Sequence, residues 1–309
     1  MTLTQAAAQE LRQALGTVVV VPVTPFHADQ SPDWDTYGAL TERLIDGGIR
    51  VITPNGNTGE FYALTQAEAR QVVETAAKAS RGRGQGTELL AGVGHDIATA
   101  VEAARHAQDQ GARMVMIHQP VHPYVSREGW VDYNAAIAGG VPDLGVVLYV
   151  RNERITGADI AELADRAPNV VGVKYGLRDS TMFAAVARDA GIGRFTWLAG
   201  AAELTAPSYW ASGAHGFTSG LANVSPGLAL SMLEALRAGD FAAAMTIWDS
   251  VRRFEELRAA DANADNVSVV KEALAQLGLC RADVRPPSRL LPPAVRDEIS
   301  AILSGWGLR

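Results

Sequence analysis

Short runs dense in Val, Ile and Leu return along this chain at fairly even intervals, at residues 17–23, 50–54, 89–93, 114–117, 146–150, 170–174, 195–199 and 215–219. Strands covered on both faces read as continuous apolar runs of this kind, which is what a parallel sheet requires. Between them lie stretches such as 64–79, 97–110, 160–167 and 182–190, whose alanine-rich apolar positions recur at three- and four-residue spacing. That is the period of a helix packed by one face. Strand and helix in alternation build βα units, and eight of them close a barrel. The expected fold is therefore α/β, a (β/α)8 TIM barrel with a C-terminal helical extension.

The extension follows from length. A barrel takes about 250 residues, and this chain has 309. After Pro226 the pattern is helical alone, at 228–238, 241–259 and 267–277, followed by a proline-rich connector at 285–293 and a last helix to residue 303. We expect a barrel with a short N-terminal helix over residues 1–226 and a helical subdomain over 227–309. Thr65 with Glu68, and Thr156 with Asp159, have the spacing of capping boxes that start two of the crossover helices.

Composition narrows the partners. The formal charge of −7 carries no basic cluster, so the footprint of a nucleic-acid binder is missing. No stretch approaches the roughly 20 apolar residues of a membrane span, and acid, amide and arginine near the start do not fit a signal peptide. A cytoplasmic protein is expected. Cys280 is the single cysteine, which rules out an intrachain disulfide or a thiolate cluster. His118 and His122 have the spacing of a zinc helix, but Pro120 and Pro123 make that segment a loop, so no metal is expected. Neither Gly82-Arg83-Gly84-Gln85-Gly86 nor Gly92-Val93-Gly94 fits a dinucleotide fingerprint, and both read as turns. The charges at Arg252, Arg253, Glu255, Glu256 and Arg258 read as a solvated helix face with i, i+4 pairing.

Barrel enzymes carry their chemistry at the C-terminal ends of strands, and three such places hold unusual residues. Lys174 ends an otherwise apolar strand and shares a face with Gly172, which leaves it room. A desolvated amine loses proton affinity and can attack a carbonyl, although a strand-end lysine can also simply reach solvent and pair with an acid. Tyr149, near the end of the preceding strand, is either a proton shuttle or a core tyrosine with one bonded hydroxyl. The loop Pro54-Asn55-Gly56-Asn57-Thr58-Gly59-Glu60-Phe61 is either a glycine-rich turn or a cradle whose N–H groups and hydroxyl converge on a carboxylate.

Taken together, these sites resemble the dihydrodipicolinate synthase and N-acetylneuraminate lyase superfamily. Its members carry Gly-x-Thr-Gly-Glu after strand two, a tyrosine at the end of strand five and Gly-x-Lys on strand six. The resemblance runs from about residue 16 to the C-terminus, and takes in Val21-Pro22-Val23-Thr24-Pro25-Phe26 and Glu128-Gly129. It implies a class I lyase in which Lys174 forms a Schiff base with a small 2-oxo acid and needs no other cofactor. Tyr149 would relay protons and Thr58 would bind the carboxylate, with Gly56 and Gly59 shaping its loop and Asn57 among the substrate-binding positions there. Gly216, Phe217 and Thr218 would line the pocket floor. It also implies a homotetramer built as a dimer of dimers.

Departures from the pattern point to a branch. Where the synthase has a threonine relay and a serine, this chain has Asn57 and Phe61. Val121 and His122 stand where the synthase has the Pro-Tyr-Tyr segment from which it lends a tyrosine across a dimer interface. Phe61, Tyr62, Leu64, a Tyr-x-Arg stretch at Tyr149 and the run Val267 to Lys271 look most like 5-dehydro-4-deoxyglucarate dehydratase, which dehydrates and decarboxylates a keto-diacid. Asn57 and Tyr175 depart from that branch, which tends to have glycine in the loop and aspartate after the lysine. Arg151 or Arg154 could hold a distal carboxylate through two parallel hydrogen bonds, and spacing favours Arg154. Ser219 and Asn223 are further candidates for substrate hydroxyls. Synthase-like or aldolase-type chemistry with pyruvate is the alternative reaction, and a non-catalytic 2-oxo-acid-binding protein the alternative class.

Overall fold

The computed structural model of the chain describes residues 2–82 and 86–309. Eight parallel strands close in sequence order into one barrel, as the alternating pattern predicts. The first half of the chain contributes α1 (Gln5–Leu15), β1 (Val18–Val20), α2 (Trp34–Asp46), β2 (Val51–Ile52), α3 (Gln66–Gly82), β3 (Glu88–Val93), α4 (Ile97–Asp109), β4 (Met114–Ile117) and α5 (Arg127–Gly140). The second half of the barrel runs through β5 (Gly145–Val150), α6 (Gly157–Arg166), β6 (Val170–Tyr175), α7 (Ser180–Asp189), β7 (Thr196–Ala199), α8 (Ala206–Ala211) and β8 (Gly216–Ser219). The tail is helical, with α9 (Pro226–Arg237), α10 (Phe241–Asn263), α11 (Asn266–Gln276) and α12 (Pro293–Gly305). The run from Gly82 to Gly86, expected to be a turn, has its three middle positions outside the described residues.

The chain divides into two compact units, one comprising residues up to 19 with 88–218, the other 20–87 with 219–309. In the first unit, β3 through β8 pair in parallel, and the pairing of β5 with β6 shifts register between Val146 and Val147. Helix α1 buries Ala8, Leu11 and Leu15. A Cβ on Gly145 would lie 2.7 Å from Leu11 Cδ1, and one on Gly172 3.0 Å from Leu15 Cδ1, so α1 packs against glycines on the inner faces of β5 and β6. Side-chain caps start the helices where the sequence supplies them: Thr4, Asp96, Ser126 and Asp179 each accept from a backbone N–H, and Thr156 with Asp159 forms the expected capping box. These are the orphan donors that a helix start leaves unbonded.

In the second unit, Thr65 and Glu68 bond reciprocally at the start of α3, again as the spacing predicts. Strands β1 and β2 are shorter than the apolar runs that announce them. Pro22 and Pro25 follow β1 and have no N–H for a ladder. The charge run on α10 is only partly a solvated face. Arg252, Arg253 and Glu256 are exposed or nearly so, but Glu255 and Arg258 are buried and pair at 2.5 Å. The i, i+3 partner faces inward because the apolar stripe of α10, with Val251 and Phe254, passes through that side. Gly220 makes room for this pair, since a Cβ there would lie 2.1 Å from Arg258 Nη2. Near its end α10 breaks, with Asp261, Ala262 and Asn263 all at positive φ.

Candidate active site

On the first unit, three neighbouring strand ends stand level. Lys174 pairs in register with Tyr149 across β5 and β6, and extending the β4–β5 register by one residue places His118 opposite Tyr149. All three side chains are buried. The Lys174 ammonium lies over the Tyr149 ring at 4.3 Å from its centroid. The His118 ring meets the other aromatic edge to face, with centroids 6.2 Å apart. Gly176 gives the phenol its place, because a Cβ there would come within 2.9 Å of Tyr149 Cε2. A cation over a π face is held electrostatically, so the lysine and tyrosine form one cluster.

Register extends that level along the sheet from Lys174 through Leu198 to Gly216. Thr218, two residues on, therefore shares the face of Gly216. Its hydroxyl donates toward the Ala199 and Gly200 carbonyls, at 3.5 and 3.4 Å. Phe217 alternates to the opposite face and is fully buried there, so its contribution beside Gly216 and Thr218 is its backbone. Gly216 accepts no side chain, since a Cβ would sit 2.3 Å from the Thr17 carbonyl.

Tyr175 likewise turns away from Lys174. Its ring joins Phe183 and Tyr209 at centroid distances of 5.6 and 6.3 Å, in a cluster that also takes in Trp197. Burial pushes the Tyr175 phenol up to about 12, and the hydroxyl oxygen has no hydrogen-bond partner. Of the two residues that depart from the dehydratase pattern, Tyr175 is thus a packing residue. Arg154 is exposed, and its guanidinium donates to the Val125 carbonyl at 3.2 Å, while Arg151 is exposed as well.

The second unit carries the glycine-rich loop. Asn57, Thr58 and Gly59 form a single 3₁₀ turn, and Glu60 follows in the left-handed region with φ 58° and ψ 35°. A Cβ on Gly56 would lie 2.5 Å from Val21 Cγ1, and one on Gly59 2.9 Å from the Pro22 carbonyl. Both glycines are therefore required by the approach of the loop to the segment 21–24. Thr24 Oγ1 closes that approach by donating to the Gly59 carbonyl at 2.7 Å. Thr58 is buried. The Asn57 Oδ1 atom is buried without a hydrogen-bond partner, an acceptor available to a hydroxyl or amine.

Asn223 is committed elsewhere. Its amide donates to the Val21 and Gly220 carbonyls and accepts from Val23 N, so it fixes backbone instead of offering itself to a substrate. Ser219 Oγ accepts from Ala222 N. Burial pushes the Cys280 thiol up to about 11, which keeps it protonated and unreactive at neutral pH. Among the described residues, no group of three or more His, Cys, Asp or Glu side chains is placed to hold a metal ion, and no helix is long and apolar enough to cross a membrane.

The structure thus brings Lys174, Tyr149, Gly216 and Thr218 to one face of the first unit, and Gly56, Asn57, Thr58 and Gly59 to one loop of the second. Sequence reasoning weighed His118 only as a metal ligand. Its position one residue past an apolar strand, in step with Tyr149, was the available signal. Lys271, noted only as part of a resemblance, proves to bond Glu60 of the glycine-rich loop at 2.5 Å.

Residues 14–305 match the sequence profile of the dihydrodipicolinate synthetase family. A 4-hydroxy-tetrahydrodipicolinate synthase from Phenylobacterium zucineum is 33% identical over 290 residues, covering 93% of this chain and 95% of that protein. A probable 5-dehydro-4-deoxyglucarate dehydratase from Bradyrhizobium diazoefficiens is 32% identical over 302 residues, covering 96% and 94%. The crystal structure of dihydrodipicolinate synthase from Oceanobacillus iheyensis superposes with a TM-score of 0.92 at 37% identity, covering 98% of this chain and all of that one.

Proposed function

Because this chain belongs to the dihydrodipicolinate synthetase family, we propose that it is a lyase in which Lys174 forms a Schiff base with a small 2-oxo acid, and that its reaction is the dehydration and decarboxylation of 5-dehydro-4-deoxyglucarate. The observation that carries this reading is the buried Lys174 ammonium lying over the Tyr149 ring on the adjacent strand. Lys174 attacks the ketone, Tyr149 passes the protons that allow water to leave, and the protonated imine draws electrons from the neighbouring carbon. Loss of a proton there gives an enamine that expels the β-hydroxyl. Loss of carbon dioxide and hydrolysis then release 2,5-dioxopentanoate and the free amine, with no further cofactor.

Thr58 receives the carboxylate in this scheme, and Asn57, which departs from the glycine of the dehydratase branch, offers a substrate hydroxyl an acceptor. An amide oxygen buried without a partner suits a substrate that brings hydroxyl donors. Arg154 takes a distal carboxylate, and Gly216, Phe217 and Thr218 form the floor. Condensation of pyruvate with an aldehyde is the second reading, favoured by the similarity to the Phenylobacterium synthase. We read the assembly as a homotetramer of two dimers in the cytoplasm. Val121 and Tyr124, 58% and 86% exposed, supply apolar surface for such an interface to cover.

The experiment supplies purified protein with 5-dehydro-4-deoxyglucarate, with pyruvate plus aspartate semialdehyde, or with pyruvate plus sugar aldehydes, and follows products by mass spectrometry. The expected product is 2,5-dioxopentanoate from the first substrate. Turnover of the second mixture alone overturns the dehydratase assignment, and an unchanged mass after borohydride reduction with pyruvate overturns the Schiff-base chemistry.

A further inference from the structure

Lys271 lies on α11 with none of its surface exposed, and the reaction just described makes no use of it. A buried ammonium persists only where partners replace its water. Here Nζ donates to Glu60 Oε2 at 2.5 Å and to the Asp283 carbonyl at 2.8 Å, and it sits 4.1 Å above the Phe26 ring. Burial pulls its pKa down while the Glu60 carboxylate holds it up. The second oxygen of Glu60 accepts from Arg285 N at 2.9 Å. The Arg285 guanidinium in turn grips both oxygens of Glu68, donates to the Ala63 carbonyl and lies 4.5 Å from the same Phe26 ring. Both carboxylate oxygens of Glu60 are thus held from α11 and the connector that follows it.

What is being held is the turn that contains Thr58. Glu60 has left-handed backbone angles, which a residue with a Cβ seldom adopts unless its surroundings enforce them. Asn57, Thr58 and Gly59 precede it directly, and the Glu60 N–H closes the turn on the Asn57 carbonyl at 3.0 Å. Release of the Glu60 carboxylate would free the turn to relax at the residue that fixes its exit.

We propose that Glu60 and Lys271 are positioning residues that set the Asn57–Gly59 turn in the shape that grips a 2-oxo acid's carboxylate. The proposal rests on the reading of Thr58 as the carboxylate site. Neither group touches substrate, and no proton is exchanged with it.

The test compares wild type with Glu60→Gln, Lys271→Met and the double variant Glu60→Gln/Lys271→Met, which leaves no unpaired buried charge. Borohydride trapping is titrated with pyruvate and, separately, with hydroxyacetone, a ketone without a carboxylate. Folding is followed by thermal melting. Losing the hold on a charged-group contact should raise half-saturating pyruvate about tenfold or more, with the limiting extent of trapping and the hydroxyacetone titration each within about twofold of wild type. Folded variants with unchanged pyruvate titration overturn the proposal, as does an equal loss for both ketones. If wild type itself is not trapped at Lys174, the Schiff-base reading fails on its own. Calorimetric pyruvate binding to wild type and Glu60→Gln then decides the loop's role, with equal affinity or no binding overturning it.

Discussion

Lys174 and Tyr149 stand opposite one another on adjacent strands, with the ammonium 4.3 Å from the centre of the ring. The ring and the hydroxyl of Tyr149 therefore have separable parts to play. Tyr149→Phe keeps the surface beneath the amine and removes the hydroxyl that we propose moves protons. We expect it to trap pyruvate on borohydride reduction while turnover falls about 10²–10⁴-fold. Lys174→Ala should lose both, with the mass of the intact chain unchanged by reduction.

The glycine at position 56 is set by Val21, whose Cγ1 would lie 2.5 Å from an added Cβ. Gly56→Ala should therefore push the loop off the segment 21–24 and raise KM with a smaller effect on kcat, the pattern of a lost binding contact. Gly56→Ala/Val21→Ala restores the space. Recovery of KM in the double variant is the expected result, measured by steady-state kinetics on whichever substrate turns over.

Tyr175 distinguishes packing from chemistry one residue beyond the lysine. Its hydroxyl is buried without a partner, so Tyr175→Phe removes an unsatisfied group and should leave stability unchanged or raise it by up to about 1 kcal/mol. Turnover should not change. Tyr175→Asp, which would restore the dehydratase pattern, places a carboxylate among Phe183, Trp197 and Tyr209. It should cost several kcal/mol in a denaturant melt, on the order expected for an unpaired buried charge.

Glu68 contributes an acid limb to stability. The Arg285 guanidinium bonded to it holds its carboxyl down at about 2, against an ordinary 4.5. The folded value lies below the unfolded one, so the unfolded chain binds more protons in between. The contribution is complete above pH 4.5 and is lost as pH falls toward 2. Glu68→Gln should lower stability at neutral pH by about 1–2 kcal/mol and flatten the fall between those limits. Melting temperature measured against pH for both proteins checks this.

Much of the barrel was legible because burial on both faces leaves a continuous apolar run, and the runs ending at Ile117, Val150 and Ala199 end as read. Both capping boxes were legible for the same local reason, that donor and acceptor are three residues apart. What the sequence hid was non-local. Glu255 and Arg258 look like surface charge until tertiary packing buries them against each other. Phe217 sits between two pocket candidates, and strand alternation alone sends it the other way. Lys271 and Glu60 are separated by 211 positions, and no periodicity links them. Asn223 reads as a free amide until its backbone partners are seen.

The slip between Val146 and Val147 decides which neighbours meet at the top of β5 and β6. Had the pairing of Val146 with Val170 simply continued, Tyr149 would stand opposite Val173, and the lysine would be level with Val150. Because successive residues point to opposite walls, phenol and amine would then look away from one another. Their partnership is thus a matter of odd and even. Removing Val173 from β6 parts them, whereas removing Val171, the unmatched residue of the slip, leaves them on a common rung.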